Sequence, residues 1–570
     1  MSLSSVPQED RTAPPVHPVL LSTSSSYLVL SLVLVIFAIA PLFYPGYLQT
    51  HHGFIALWNV ADLRANLGSW GWTPHVGVDF DPVRSDGLLP YYLAALLPLE
   101  PATAIKVVLG LSWLLGNAGM FLWLKRWLGP TGALVAALVY TYLPYQIATI
   151  YVRGVIGEAL FFGLLPWAVG ISEWANGPRR VGESNRVPGV IDFVLAVLVW
   201  LLLGLSHLGL TLWAFVFVGL WLWLTYHRQA WEGILTTLFG VILATITVFS
   251  IFAASPHDSS PPPLLTDHFL YPFQLFSAFW GFGPSRPGWN DGMSFQLGLA
   301  AVGLSLLTFL VWRRSNKSAT PSANRRLIFL GGSALFFVLL QFGFTAPLWN
   351  LLFLTRTLVY PWQLLGLAGL CLAVLAGASV WLDEQLAQLP LFGGIVTLVI
   401  LSSYPYLSPQ FVQIEPEIMA APQALLGQKQ LALLNHHFST VVSGNTAGLE
   451  QGTTSIPLAV HGSLQAADVL QLNVTWLPLQ PFDEDWKIFV HLVDPSGQVL
   501  AQFDGQPLEG TYPTSHWIPG EFIEDSYPLI IPPDAPPGPY RVFAGLYNEA
   551  TGLRLPVPGD PEGRVVLNVE

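Results

Sequence analysis

The sequence predicts a polytopic α-helical membrane protein of about eleven transmembrane helices, followed by a C-terminal extracytoplasmic β-sandwich domain. Hydrophobic residues make up 52% of the 570 residues and charged residues only 10%, whereas an ordinary soluble protein carries about 25% charge. Apolar stretches near the roughly 20 residues needed to cross hydrocarbon recur between residues 27 and 407. After about residue 445 the pattern changes to short alternating runs, which are typical of β-strands.

The apolar stretches are the predicted spans. The first 26 residues are polar, with Pro14, Pro15 and a serine cluster, so residues 1–26 are predicted to be a disordered cytoplasmic tail rather than a cleaved signal. The predicted membrane domain covers residues 27–407. Its spans lie near residues 27–46, 103–124, 131–149, 158–175, 190–205, 209–226, 233–254, 294–312, 327–346, 363–382 and 389–407.

Basic residues set the predicted orientation, because Lys and Arg accumulate in short cytoplasmic loops. With the N-terminus inside, the clusters at 125–126, 179–186, 228 and 313–326 all fall on the cytoplasmic side. An odd number of spans then places the C-terminal domain outside. The same count predicts three long outer loops, at residues 47–102, 255–293 and 347–362.

The C-terminal part divides into a predicted connector, residues 408–444, and a predicted β-sandwich, residues 445–570. Alternating runs predict strands at 469–476, 486–493, 498–504, 540–547 and 565–569. Aromatic residues in this part, such as Trp476, Trp486, Tyr512 and Trp517, are interpreted as core. The net charge of −12 is concentrated after residue 408, which argues against a nucleic-acid partner.

The first outer loop is rich in titratable residues. It contains His51, His52, Asp79 and Asp81, among others. Such a loop against a membrane-embedded cavity is suited to supply a general base, for which Asp79 and Asp81 are the candidates. The alternative is a solvated loop that carries charge because it is outside. The same four residues could also hold a divalent cation, although the spacing is not diagnostic and no metal site or cofactor is assigned.

A second candidate is the segment from Tyr151 to Glu158, between two predicted spans. Arg153 is suited to hold a lipid phosphate through charge-assisted hydrogen bonds, with Glu158 orienting it. The alternative is an intramolecular ion pair that fixes a tight hairpin, and the two interpretations are compatible. His207, where two helices meet, is interpreted first as a hydrogen-bonded helix-end residue.

The second outer loop combines aromatic residues, glycines, His268 and Asp291. Aromatic rings beside polar groups suit sugar binding, but membrane interfaces also collect Trp and Tyr. The single cysteine, Cys371, lies in an apolar run and is interpreted as a packed hydrophobe. No nucleotide-binding or familiar hydrolase motif occurs in the sequence, which disfavours ATP-driven transport.

Several of these motifs resemble a known family. Tyr151-Val-Arg-Gly with Glu158, Ser206-His207, Asp291-Gly-Met-Ser-Phe-Gln-Leu-Gly298 and Tyr360-Pro361-Trp362 are similar to bacterial membrane proteins with the 6-pyruvoyl-tetrahydropterin-synthase-related membrane domain. These proteins in turn resemble the GT-C superfamily of lipid-linked-sugar glycosyltransferases. The C-terminal segments Phe489–Asp494, Gly510–Ser515 and Gly545–Tyr547 look like a β-sandwich module that recurs on such enzymes.

The resemblance implies a membrane glycosyltransferase of the bacterial plasma membrane that moves a sugar from a polyprenyl-phosphate donor to an extracytoplasmic glycan, lipid or protein acceptor. Asp79 or Asp81 is then the base and Arg153 the phosphate ligand. The alternative is a catalytically silent, membrane-anchored glycan-binding or cell-envelope assembly protein. The substrate-binding candidates are His51, His52, Arg153, Glu158, His207, His268, Asp291, Tyr360 and Trp362.

Two departures from the family pattern bear on this choice. Where relatives read roughly His-Asp-Gly-x-x-His-Leu-Tyr-Arg in the first loop, this chain has His51-His52-Gly53 followed by Phe-Ile-Ala-Leu-Trp-Asn59. The acid, the second histidine and the arginine are therefore replaced. The family's Pro-Trp-Arg is Pro361-Trp362-Gln363 here. Retained catalysis therefore requires another acid.

Overall fold

The structure is a computed structural model with two hydrophobic cores, one in the helical part and one in the C-terminal part. The residues that it describes are 24–51, 53–68, 72, 74, 81–176, 190–226, 230–254, 268–283, 285, 288–289, 291–315, 321–351, 354–412, 453–456, 469–478, 482, 484–494, 496–510, 512–517, 523–530, 532, 535, 540–555 and 562–569. The predicted N-terminal tail before residue 24 and most of the predicted connector lie outside them.

The α-helices of the described part are numbered in chain order. They are α1 (Ser24–Ile39), α2 (Gly53–Ala65), α3 (Leu88–Leu96), α4 (Pro101–Thr141), α5 (Pro144–Ala148), α6 (Ile156–Asn176), α7 (Val190–Ser206), α8 (Leu208–Tyr226), α9 (Ala230–Ala254), α10 (Leu299–Trp312), α11 (Pro321–Leu339), α12 (Ala346–Leu351), α13 (Leu365–Leu382) and α14 (Leu389–Ser403).

Seven helical segments of the described residues are long and apolar enough to cross a membrane. Two further apolar helices, α7 and α10, are shorter. Every span predicted from the sequence overlaps a helix, while the number of eleven spans stays a prediction. The apolar segments long enough to span are Ser24–Phe43, Pro101–Thr141, Ile156–Asn176, Leu208–Tyr226, Ala230–Ala253, Pro361–Leu382 and Leu389–Tyr406.

Helix α4 contains two predicted spans in one element with a sharp kink. Gly129 has φ 70° and ψ 175°, and Pro130 follows it. This backbone conformation is essentially restricted to glycine, and proline cannot continue the preceding hydrogen-bond ladder. The kink therefore divides the 41 helical residues into a longer and a shorter segment.

Helix α13 is the buried centre of the helical core and packs against α4, α10 and α11. Small residues permit its closest approach. A Cβ on Gly377 would lie 2.4 Å from the carbonyl oxygen of Gly132 in α4. Close backbone contact through small residues is the usual way in which membrane helices gain packing contacts.

The first predicted outer loop, residues 47–102, is tied to the chain that follows α14. Strand β1 (Tyr47–Leu48) pairs antiparallel with β2 (Phe411–Val412). The Gln49 amide also donates to the carbonyl of Gln410. The start of the loop and the end of the membrane domain are therefore held together.

The C-terminal part consists of two antiparallel sheets over one core. Its strands are β3 (Thr453–Ile456), β4 (Val469–Pro478), β5 (Lys487–Val493), β6 (Val499–Gly505), β7 (Ile523–Ile530), β8 (Tyr540–Tyr547) and β9 (Val565–Val569). The strand orders are β3-β4-β7 in one sheet and β6-β5-β8-β9 in the other. Trp476, Tyr512 and Trp517 are buried in this core, as predicted, and Trp486 packs against it.

The predicted fold class, a polytopic helical membrane protein with a C-terminal β-sandwich, is confirmed. The sequence prediction missed strands β3 and β7. Strand β7 contains Pro528, which lowers the strand signal, but β7 lies at the edge of its sheet, where a missing N–H is tolerated.

Candidate functional site

Arg153 and Glu158 form a bidentate ion pair where two predicted spans meet. Arg153 ends a π-helical turn, Thr149–Arg153, and Gly154 follows with φ 67°. The two terminal nitrogens of Arg153 lie 2.6 and 2.7 Å from the two carboxylate oxygens of Glu158. Both side chains are buried, with 4% and 1% exposure. The intramolecular pair that the sequence analysis offered as one interpretation is therefore present.

Glu158 also accepts hydrogen bonds from two neutral side chains. The amide nitrogen of Gln363 lies 2.5 Å from one carboxylate oxygen, and the Tyr145 hydroxyl lies 3.2 Å from the other. The amide oxygen of Gln363 accepts the backbone N–H groups of Val359 and Tyr360, each at 3.0 Å. Glutamine can donate and accept at once, whereas arginine can only donate. Gln363 is therefore a site residue that the sequence analysis did not select.

An aromatic stack covers the guanidinium of Arg153. The centre of the guanidinium lies 4.5 Å from the Trp362 ring, at cation–π distance. Trp362 stacks on Tyr360 with 4.4 Å between ring centroids, and Tyr360 meets the His268 ring edge-on at 4.9 Å. Three of the predicted substrate-binding residues therefore lie side by side with Arg153.

His268 is held by a chain of hydrogen bonds to Asp291. The Ser285 hydroxyl donates to Asp291 at 3.0 Å and lies 3.1 Å from Nδ1 of His268. Because the single hydroxyl proton is used toward Asp291, Nδ1 of His268 donates to Ser285. Burial lowers the pKa of His268 to about 3, so the ring is neutral. Gln274 donates to the other oxygen of Asp291 at 2.6 Å.

His51 anchors the first outer loop beside Arg153. Its backbone N–H donates to the carbonyl of Val152 at 3.1 Å. Its Nε2 donates to the carbonyl of Phe282 at 2.8 Å. Burial, together with the charge of Arg153, lowers the pKa of His51 to about 4. His51 is thus a neutral residue that joins two outer loops.

His207 caps helix α8 at its first turn. Its Nδ1 accepts the N–H of Leu210 at 3.3 Å, and its carbonyl accepts the Thr211 hydroxyl. This is the helix-end role that the sequence favoured. His207 is buried and lies within electrostatic reach of Glu158. It therefore belongs, with Arg153 and Glu158, to one buried polar cluster.

Asp86 is a carboxylate of this cluster that was not selected from the sequence. The N–H of Gly87 donates to the carbonyl of Ser206, which holds this part of the first loop at the junction of α7 and α8. Oδ1 of Asp86 is buried and has no partner in ordinary hydrogen-bond geometry among the described residues. A Cβ on Gly157 would lie 2.3 Å from that oxygen, so only glycine fits there.

The environment of Asp86 favours its protonated form. Burial raises the pKa of its carboxyl to about 7, and the negative charge of Glu158 adds to the rise. The backbone amides of Gly157 and Glu158 and the charge of Arg153 oppose it. A carboxyl with a pKa near neutrality is matched to proton transfer at neutral pH.

Asp81, by contrast, is satisfied within its own turn. Its Oδ1 accepts the N–H groups of Val83 and Arg84, and its Oδ2 lies 2.7 Å from Nε of Arg84. Asp79 and His52 lie outside the described residues. Both aspartates therefore stay predictions as catalytic residues.

The predicted cation site is not assembled in the described part of the chain. Among those residues, no three His, Cys, Asp or Glu side chains come together in a group that could hold a metal ion. Two of the four candidates, His52 and Asp79, lie outside this part. The divalent cation stays a prediction.

Comparisons with known proteins give no family assignment. No family model and no curated protein matches the chain. Among solved structures, ArnT from Cupriavidus metallidurans in the apo state is similar over 63% of this chain and 60% of that chain, at 14% identity and a TM-score of 0.36. Alkylpurine DNA glycosylase AlkC of Pseudomonas fluorescens, bound to DNA containing an abasic site analogue, is similar over 82% of this chain and 97% of that one, at 10% identity and a TM-score of 0.14.

The cluster combines three chemical capacities at one edge of the helical core. Arg153 supplies a buried positive charge beside flat aromatic rings. Asp86 supplies a carboxyl that gains or loses a proton near neutral pH. His51 and His268 are neutral, and His268 keeps a fixed tautomer. Such a set is suited to a phosphate-bearing ligand and a hydroxyl that must lose a proton.

Proposed function

We propose that this protein is a membrane glycosyltransferase that moves a sugar from a polyprenyl-phosphate donor to an extracytoplasmic acceptor. The observation that carries the proposal is the group formed by Asp86, Arg153 and Glu158 at the end of an apolar helical core. Ionisable residues that are buried this completely are costly, and such groups cluster at functional sites. The sequence resemblance to the 6-pyruvoyl-tetrahydropterin-synthase-related family supports the same class of reaction.

In the proposed reaction, the acceptor hydroxyl oxygen attacks the anomeric carbon of the donor sugar. A new carbon–oxygen bond forms as the bond from the anomeric carbon to the phosphate oxygen breaks. The hydroxyl proton passes to a first-loop carboxylate, and polyprenyl phosphate leaves. Asp86 is proposed as the base, because it lies within electrostatic reach of Glu158 and Arg153, while Asp79 and Asp81 stay the alternatives from the sequence.

The remaining residues bind and position the donor in this proposal. Arg153 shares its positive charge between Glu158 and the donor phosphate, while the Trp362 and Tyr360 rings form a wall for the sugar or the lipid. His51, His207, His268 and Asp291 are proposed to bind the donor around this wall. His52 lies outside the described residues and is kept as a substrate-binding candidate from the sequence.

The direct test is sugar transfer in lipid nanodiscs with radiolabelled polyprenyl-phosphate sugars and total membrane acceptors. Asp86→Asn removes the base and should lower transfer by about 100-fold or more. Asp62→Asn is a matched control, since Asp62 lies in the same loop and accepts the indole N–H of Trp72. This variant should keep activity. Full transfer by Asp86→Asn would refute Asp86 as the base, and loss in Asp79→Asn or Asp81→Asn would assign the role there.

A second function is favoured by the closed ion pair. Both terminal nitrogens of Arg153 already contact Glu158, which suits a catalytically silent, membrane-anchored glycan-binding or cell-envelope assembly protein. Saturable binding of the donor lipid without transfer or donor hydrolysis would support this alternative. Turnover that depends on Asp86 would exclude it.

A further inference from the structure

The basic residues of the C-terminal domain are few and unevenly placed. Residues 445–570 contain 16 acidic but only 4 basic side chains, namely Lys487, Arg541, Arg554 and Arg564. All four belong to one face of the four-stranded sheet. On β5 and β8 the inward residues, such as Val490 and Val542, are in the sandwich core. Lys487 and Arg541 alternate with them and therefore face outward.

The other two arginines are placed on the same face by their ring contacts. The Arg554 guanidinium lies 4.3 Å from the Phe489 ring, and the Arg564 guanidinium lies 4.7 Å from the Phe543 ring. Arg541 also lies over Phe543, at 5.6 Å. Stacking on rings restricts the rotamers of a guanidinium, so less freedom is lost when it binds a ligand.

Two of these cations lack an acidic partner within the described part of the chain. Lys487 pairs with Glu549, and Arg564 pairs with Glu562 at 2.5 Å. Arg541 and Arg554 have no carboxylate partner among the residues that the structure describes, and Arg554 donates there to the carbonyl of Glu562 at 3.3 Å. Both guanidiniums therefore keep hydrogen-bonding capacity for an external anion.

Polar side chains that suit hydroxyl groups lie beside the arginines on the same face. His491 faces Phe543 on the neighbouring strand and Gln502 on the other side. His491 also contacts the carboxylate of Asp504 at 3.2 Å. Strands are spaced about 4.8 Å apart, so these groups form a strip about 10–15 Å wide across the sheet.

We propose that this outer face binds an acidic polysaccharide, whose carboxylates pair with Arg541 and Arg554 and whose hydroxyls bond to His491, Gln502 and Asp504. A polymer suits a broad strip better than a single small anion does. An anionic membrane surface is disfavoured, because an extended plane of charge would also face the acidic residues around the strip, whereas one polysaccharide chain contacts the strip alone. The proposal does not rest on the proposed transferase activity.

The test is binding by the full chain in phosphatidylcholine nanodiscs. Polygalacturonate, a uronic-acid polymer, should bind with saturation and weaken with salt, while neutral dextran of similar length should not. The double variant Arg541→Gln/Arg554→Gln should weaken binding by about tenfold or more. Lys487→Gln is the matched control, since that cation is already paired with Glu549, and it should change binding less than about threefold.

Three outcomes would overturn the proposal. The first is that dextran binds as tightly as polygalacturonate. The second is that Lys487→Gln loses as much affinity as the double arginine variant. The third is that the protein binds phosphatidylglycerol vesicles more tightly than polygalacturonate. Arg541→Lys/Arg554→Lys keeps the charge but removes the planar donor pair. It should recover only part of the affinity. Because binding is measured without turnover, an absence of sugar transfer leaves the result unaffected.

Discussion

We expect Asp86 to make the stability of the folded protein depend on pH. Burial raises the pKa of its carboxyl from 3.8 to about 7, so the folded state should bind more protons between these values. The stabilisation is complete below about pH 4 and is lost as the pH rises through about 7. Thermal unfolding in detergent should therefore occur at a lower temperature at about pH 8 than at about pH 5, a difference in stability of about 2–3 kcal/mol.

Two variants check this assignment. Asp86→Asn cannot ionise and should flatten the dependence between about pH 5 and 8. Asp81→Asn removes a carboxylate that is satisfied by its own turn and should leave the slope in place. An unchanged slope in Asp86→Asn would show that another group causes it.

The buried pair of Arg153 and Glu158 should be intolerant of a single neutralisation. Glu158→Gln leaves the Arg153 charge buried with no carboxylate, and breaking such a pair typically costs about 3–5 kcal/mol. The double variant Arg153→Met/Glu158→Met removes both charges and should be closer to wild type. The measurement is thermal unfolding of the purified protein in detergent.

A second ion pair in the same protein provides the comparison. Arg326 and Glu173 lie 2.9 Å apart and keep 19% and 15% exposure, so water screens them more. Glu173→Gln should therefore cost less than Glu158→Gln. Equal losses in both variants would contradict the burial argument.

At the scale of elements, the kink in α4 depends on one backbone conformation. Gly129 adopts φ 70°, and the space that a Cβ would occupy is free of atoms from other parts of the described chain. The cost of a side chain at this position is therefore conformational and not steric. Gly129→Ala should destabilise the protein by about 1–3 kcal/mol. Gly219→Ala in α8 is the control, because Gly219 has the same free space around it but lies within a regular helix. It should be neutral or stabilise by up to about 1 kcal/mol. Equal effects of the two changes would contradict the argument.

Periodicity predicted most of the elements because each one buries an apolar pattern. Strand β8 was predicted with its observed bounds, and β9 likewise. Strand β7 was missed because Pro528 interrupts its alternation, which tertiary pairing with β4 tolerates. The predicted break between the two spans, residues 125–130, contains Gly129 and Pro130, the two residues least compatible with a continuous helix.

The candidate site was harder to predict than the elements. Arg153, Glu158 and Trp362 were selected because charges and aromatic residues are conspicuous among apolar residues. Asp86 was one of several loop carboxylates, and its burial against Gly157 and Glu158, far along the chain, distinguishes it from Asp81. Gln363 was treated as a departure from a family motif. Its bond to Glu158 spans 205 positions in the sequence, which local patterns cannot reveal.

At the scale of the whole molecule, an aromatic pair connects the sandwich to the site. Tyr512 of the sandwich core meets the His268 ring edge-on, with 6.1 Å between centroids. His268 in turn contacts Tyr360, which stacks on Trp362. The rings are therefore continuous from the sandwich core to the guanidinium of Arg153.

Removing this contact should loosen the second outer loop. Tyr512→Leu should increase hydrogen exchange in residues 268–283 by about tenfold, because local opening then requires less free energy. Trp476→Leu is the control, because it removes another buried aromatic side chain of the sandwich, one that donates a hydrogen bond to the Tyr527 hydroxyl. It should raise exchange within the sandwich only. Equal exchange of the outer loop in both variants would argue against coupling through Tyr512.

The measurement that most directly tests the central claim is the position of the bound donor. A diazirine-bearing polyprenyl-phosphate sugar is bound to the wild-type protein in nanodiscs, photolysed and mapped by mass spectrometry. We expect labelling in residues 85–96 and 145–161 that excess unlabelled donor suppresses. Labelling spread over the lipid-facing helices, or labelling that unlabelled donor does not suppress, would contradict a donor site at Asp86, Arg153 and Glu158.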